Sequence, residues 1–192
     1  MKKDIILAGV GGQGILSIAA VIGHAAIKDN LYIKQAEVHG MSQRGGDVQS
    51  HLRLSSEPIS SDLIARGTAD VIISLEPMEA LRYLPFLAPD GWIVTNTTPF
   101  VNIPNYPDAE ALMAELRSRK NVILLDVDAT AKAAGNPRGS NIALLGACSG
   151  ILGIDAAKLE AGIRDIFSRK GEAIVEANIA AFRAGAAAAL RD

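Results

Sequence analysis

The sequence predicts an α/β fold of Rossmann-like type: a mostly parallel sheet with helices on both faces and a helical C-terminal part. Three observations carry this. Asp4-Ile-Ile-Leu-Ala8 is a short apolar run ending in glycines, as a buried parallel strand does. A segment rich in Ala, Ile and Leu over 15–28 reads as a helix, and 32–38 reads as the next strand, so the first forty residues resemble the β-turn-α-β unit of doubly wound sheets. Beyond Asp128 the pattern turns helical to the end.

The intervening elements follow in order. Residues 48–54 alternate, with Val48, Ser50, Leu52 and Leu54 against Gln49, His51 and Arg53, which predicts a half-exposed strand. Residues 69–75 predict a strand, and 76–87 a helix opened by Pro77, a residue well placed in a first helical turn. A strand over 91–95 leads into an irregular connection, 96–107, with three prolines. A helix over 108–119 and a strand over 121–126 come next. Asp128 is the expected cap of a short helix to Ala134, and 141–152 reads as a buried helix rich in small residues. Asp155 caps a helix to Ser168, and 171–190 is a long alanine-rich helix. No internal repeat or linker divides the 192 residues, which predicts one domain over 1–192.

Composition narrows the function. Hydrophobic residues make up 49% and charged residues 21%, the balance of a globular chain. A net charge of −2 without a basic block argues against nucleic acid as a partner. One cysteine, Cys148, can form no internal disulfide and cannot by itself hold an iron–sulfur cluster; its small-residue helix makes inert packing the expectation. His24, His39 and His51 show no zinc-type spacing. Asp4 and the glycines at 9–14 interrupt the apolar stretch a signal peptide needs, and no run is long enough for a membrane span, so a cytoplasmic location is expected.

Two segments read as a site. Gly9, Gly11 and Gly14 satisfy G-x-G-x-x-G between a strand and a helix, a pattern whose backbone amides favour an anionic group. Glu37 lies 23 residues after Gly14, where a dinucleotide site places an acid for a ribose hydroxyl. Glycine turns also serve close strand–helix packing alone. Gly12 adds a fourth glycine and Gln13 a carboxamide, both unlike an ordinary NAD site. The second segment, Glu37-Val-His-Gly-Met-Ser-Gln-Arg-Gly-Gly46, puts an acid, an imidazole, a hydroxyl, a carboxamide, a guanidinium and three glycines into ten residues.

Together with Ser50-His-Leu-Arg53, these two segments resemble the gamma-type domain of the 2-oxoacid:ferredoxin oxidoreductases, and the loop wording looks most like the small (beta) subunits of the indolepyruvate-acting members. Asn141 and Leu145-Gly146 resemble a later feature of that family more weakly. The resemblance implies a pyruvate/ketoisovalerate oxidoreductase gamma-type domain that is not catalytic alone. It would complete a complex that oxidatively decarboxylates arylpyruvates to acyl-CoA and passes electrons to ferredoxin. Thiamine diphosphate and iron–sulfur clusters are then expected in a large catalytic (alpha) partner subunit, with coenzyme A as co-substrate of the complex and no cofactor assigned to this chain. The isolated chain could dimerise through surface that normally meets the large subunit.

For single loop residues two readings stand side by side. Arg44 can bind an anion in bidentate fashion or pair with Glu37 to shape the loop. His39 can bond a substrate or subunit, or tie down its own loop. Met41 suits packing against a partner or ligand ring. Ser42 and Gln43 can donate to a ligand or close the loop, while Gly40, Gly45 and Gly46 permit its backbone path. The competing functional readings are a free-standing NAD(P)- or FAD-binding dehydrogenase, for which only His39 and His51 offer proton transfer, and a nucleotide-sensing module without turnover.

Overall fold

The computed structural model describes residues 1–39 and 45–190, with His39 described by its backbone alone. A six-stranded sheet runs in the order β2-β3-β1-β4-β5-β6, where β1 is Lys2–Val10, β2 Tyr32–His39, β3 Asp47–Ser55, β4 Ala69–Ser74, β5 Leu87–Asn96 and β6 Val122–Leu125. The pairs β1–β4, β4–β5 and β5–β6 are parallel, while β3 runs antiparallel to both β1 and β2. The mostly parallel sheet is as expected. The β-turn-α-β reading needs one correction: β2 does run in the direction of β1, but β3 lies between them. Periodicity reports that a strand exists and says nothing of which neighbour it chooses.

Alternation along β1 divides the molecule into two layers. Ile5 and Leu7 face a large core built with α1 (Ile15–Lys28), α4 (Val127–Ala133), α5 (Ser140–Cys148), α6 (Ala156–Phe167) and α7 (Glu172–Ala189). Ile6 and Ala8 face the other side, against Ile64, Ile72 and Tyr83. Further along that side, Ala80 of α2 (Pro77–Arg82) and Met113 and Leu116 of α3 (Ala109–Arg117) pack on Ile93. β1 and β4 are covered on both faces, which is why they read as unbroken apolar runs.

Local chemistry explains most boundaries. Asp108 accepts from the Ala111 N–H at 2.9 Å and Asp155 from the Ala157 N–H at 2.9 Å, each satisfying a helix-start donor. The helix expected over 76–87 stops at Arg82, and a one-turn 3-10 segment, Leu84–Phe86, follows. Pro85 supplies no N–H and crowds the preceding turn, so an α-helix cannot run through it. The cap of α4 is Asp126, which accepts from the Ala129 N–H at 2.9 Å, and not Asp128. Asp128 instead accepts from Asn96 Nδ2 at 3.2 Å and from Ser140 Oγ at 2.5 Å.

The alanine-rich C-terminal helix is a core element. α5 and α7 approach so closely that a Cβ on Gly146 would lie 1.9 Å from the Phe182 carbonyl oxygen, and one on Gly185 1.9 Å from that of Ala143. Small residues in both helices are the condition for this contact. Among the described residues, no helix is long and apolar enough to cross a membrane.

Candidate functional site

The glycine turn leaves β1 at the carboxyl end of the sheet. In an open α/β sheet, ligands favour the crevice where neighbouring crossovers diverge to opposite faces. Here that place lies between β1 and β4, and Gln13 fills it. Its Oε1 accepts from the Val10 N–H at 2.7 Å and its Nε2 donates to the Leu75 carbonyl at 3.2 Å. The Leu75 N–H donates in turn to Ala8 O at 3.1 Å. The carboxamide thus closes its own turn and laces the two strand ends together.

The turn is joined to the base of the polar loop. Gly11 N–H donates to Gly46 O at 2.8 Å, and Gly45 N–H donates to Gly11 O at 3.3 Å. Gly14 starts α1 with φ +89°, a left-handed backbone that glycine adopts without strain. A Cβ there would also fall 2.6 Å from Asn141 Nδ2, which donates to Gly14 O at 3.2 Å. So Asn141 is brought to the turn from a distant helix. Gly146, by contrast, serves α5–α7 packing, and Leu145 is fully buried in the core with it. Gly9 is tight for a different reason: a Cβ would meet Gln13 Oε1 at 2.9 Å.

A cavity of about 420 Å³ opens beside the turn, lined by Val10, Gly11, Gly12, Gly14, Ile15, Leu16, Glu37 and Val48. Among the described residues, no side chain caps α1 and no acid sits in its first turn, so none of them neutralises its positive end locally. Glu37 faces the same cavity from β2, paired in register with Ser50, which is itself opposite Leu7 of β1. The carboxylate therefore stands two strands from β1, roughly 10 Å away by ordinary strand spacing. A ribose-reading acid belongs on the adjacent strand. A ligand seated here would meet helix amides on one side and a carboxylate on the other.

Of the predicted loop residues, Gly40, Met41, Ser42, Gln43, Arg44 and the side chain of His39 lie outside the described residues. The pairing of Arg44 with Glu37 lies outside them too.

His51 is not on an exposed face. It is buried, its Nδ1 accepts from the Ile64 N–H at 3.0 Å, and its ring meets Phe86 edge-on. Burial, helped by the Arg53 charge, lowers its pKa, so the neutral ring is favoured. Arg53 also turns inward: its Nε donates to Asp4 Oδ1 at 2.7 Å and its Nη1 to Ser61 O at 3.0 Å. The alternation reading of this strand holds at Gln49 and Arg53, which are half-buried, and fails at His51, which the 58–64 segment covers. Cys148 is fully buried and burial pushes its thiol up, which matches inert packing and does not fit a cluster ligand.

Sequence reasoning missed a second polar cluster at the same end of the sheet. Glu76, fully buried, caps α2 by accepting from the Glu79 N–H at 2.8 Å. Its other oxygen accepts from the Phe100 N–H at 3.3 Å and from the Tyr106 hydroxyl. Burial and the Glu76 hydrogen bond raise the Tyr106 pKa, so the phenol stays a donor. Asn102, between these anchors, donates from Nδ2 to Gly45 O at 2.8 Å. The available signal was Glu76-Pro77: an acid directly before a first-turn proline is a cap pattern.

The chain and its fold have counterparts among known proteins. The pyruvate ferredoxin/flavodoxin oxidoreductase family profile matches residues 4–188. The chain belongs to that family. It is 35% identical over 196 residues to the indolepyruvate oxidoreductase subunit IorB of Archaeoglobus fulgidus, covering 96% of this chain and 94% of that one. Among solved structures it resembles the gamma subunit of a keto/oxoacid ferredoxin oxidoreductase from Geobacter sulfurreducens, with a TM-score of 0.68, 26% identity and 99% of each chain covered. A 2-oxoglutarate:ferredoxin oxidoreductase from Magnetococcus marinus shares the fold with a TM-score of 0.77 at 24% identity, and this chain spans 31% of that longer chain. The Archaeoglobus and Geobacter relatives are each a subunit of an oxidoreductase, and this chain is a subunit of such a complex.

Proposed function

We propose that this chain, as one domain over 1–192, is the non-catalytic small subunit of an arylpyruvate-oxidising complex of the indolepyruvate type. Its partner is a large catalytic subunit that carries thiamine diphosphate and iron–sulfur clusters; coenzyme A accepts the acyl group and ferredoxin the electrons. The observation that carries this reading is the end-to-end match to the Archaeoglobus fulgidus subunit. The residues agree with it. Gln13 occupies the crevice that a dinucleotide would use, and Gly11 is engaged with Gly46. His51, one of the two histidines that offer proton transfer to a free-standing dehydrogenase, is committed to holding Ile64. In this reading the glycine turn serves first as the footing of the 37–46 loop, and the loop presents His39, Met41, Gln43 and Arg44 to the partner or to its substrates. The setting is the cytoplasm.

The test is anaerobic recovery of the tagged chain from its own cells, with the eluate assayed for arylpyruvate-dependent reduction of a viologen dye in the presence of coenzyme A. A large cluster-containing partner with that activity is expected. Recovery of a lone chain carrying a nicotinamide or flavin would sink the proposal.

A further inference from the structure

The connection between β5 and α3, residues 97–108, bears on the site without lining it. Thr97 N–H donates to Leu125 O at 3.1 Å where the connection leaves β5, and three more contacts hold it. Thr98 N–H donates to Asn96 Oδ1 at 3.3 Å, Phe100 N–H donates to Glu76, and the Tyr106 hydroxyl donates to the same Glu76 oxygen. Glu76 and Asn96 are both buried, at the carboxyl ends of neighbouring strands. A carboxylate with no solvent access is tolerable only while its donors remain in place, so the Glu76 anchor is costly to break. Pro99, Pro104 and Pro107 restrict the backbone between the anchors and lower the entropy gained by opening. The result is a short, stiff arc, and Asn102 sits in it.

Asn102 meets the Gly45 carbonyl, and Gly45 and Gly46 are the two residues that exchange hydrogen bonds with Gly11. Three separate segments therefore converge on one backbone junction: the glycine turn, the foot of the loop and the arc. Among the described residues, the first two are held together by backbone bonds. The arc adds a side-chain bond, and it is tied through Glu76 to the buried end of β4.

We infer that Asn102 is a positioning residue for the site loop, and that Glu76, through Tyr106 and Phe100, sets where Asn102 stands. The foot of the loop is thereby coupled to a buried carboxylate it does not touch. The coupling concerns the same loop as the proposed function, but it is readable in the full chain without any partner subunit, so its failure and the failure of that reading are separate results.

The experiment is amide hydrogen exchange, residue by residue, on the full chain with Asn102→Asp and with Tyr106→Phe. Asn102→Asp keeps the size of the side chain, removes the donor and sets an anion against a carbonyl. Both variants are expected to speed exchange at the Gly11 and Gly45 amides about fivefold, the effect of losing a single hydrogen bond. Amides in β4 and α5 should keep their rates, and Asn102→Asp should leave the melting temperature unchanged. A purely structural Asn102 would move the melting temperature and leave Gly11 no more affected than the core. If Tyr106→Phe quickens Phe100 while Gly11 and Gly45 keep the wild-type rate, the coupling does not exist. Should Tyr106→Phe fail to fold, Asn102→Asp decides alone, and unchanged Gly11 exchange in it overturns the proposal.

Discussion

Gln13 and Leu75 are joined across the gap between the first two parallel strands, Nε2 to carbonyl at 3.2 Å, while the same carboxamide accepts from Val10. Gln13→Ala strands the Val10 N–H and the Leu75 carbonyl together. The expected loss is about 1–3 kcal/mol, the range for buried groups left without partners. Gln13→Glu keeps the acceptor and loses the donor, so it should fall between. Urea unfolding of the three proteins measures the order; an alanine variant as stable as the parent would show that the carboxamide does not hold the strands.

Replacing Glu76 tests the buried anchor. Glu76→Gln offers one acceptor oxygen where the carboxylate serves donors on both. Each donor left unsatisfied costs about 1–3 kcal/mol. Thermal unfolding should show a clear drop for Glu76→Gln and a smaller one for Tyr106→Phe, which removes a donor and leaves the carboxylate its two N–H partners.

The α5–α7 contact predicts a steep penalty for a single methyl. Gly146→Ala and Gly185→Ala each place a carbon 1.9 Å from a backbone oxygen, a clash only helix separation can relieve. Overpacking of this kind costs about 1–3 kcal/mol and sometimes more. Gly150→Ala, where a Cβ meets nothing within 4 Å, is the matched control. Melting temperatures should fall for the first two and hold for the third.

His51 gives the protein a pH signature. Its folded pKa lies below the unfolded value, so as pH falls past about 6.5 the unfolded chain takes up a proton that the folded chain refuses. Stability contributed by the neutral ring is thus fully present above that pH and declines below it. Glu79, whose carboxyl is raised chiefly by burial, acts in the opposite sense. The informative quantity is therefore a difference. His51→Asn keeps an acceptor near the Nδ1 position and cannot titrate. The stability gap between parent and variant should shift in favour of the variant between pH 7.5 and pH 5; a gap independent of pH would mean that His51 is protonated in the fold.

Much of this was legible in the residues, for definable reasons. α1 is read to the residue because its apolar stripe is long and a glycine turn starts it. Asp155 is read as a cap because it stands alone before its helix, whereas Asp108, read as the first helical residue, proves to be a cap. Asp126 and Asp128 compete two residues apart, and only the Asn96 and Ser140 contacts of Asp128 decide between them. The place of β3 was not legible, since a buried antiparallel strand and a parallel one share the same apolar pattern. Nor was the burial of His51, which depends on the path of 58–64 over it. At the site, the glycines, Gln13 and Glu37 were visible as a motif. Glu76 and Asn102 were not, because their roles arise from segments brought together only by folding.

The insertion of β3 also orders events in time. β1 is flanked in the finished sheet by strands that begin at residues 47 and 69, and the helices over its larger core extend to residue 189. Ile5, Ile6 and Leu7, all fully enclosed at the end, have no lasting partner at the start. Sheets closed by such distant pairings form slowly, and their apolar strands are exposed meanwhile. β1 is thus a segment its cell must shelter until residues far along the chain have been made.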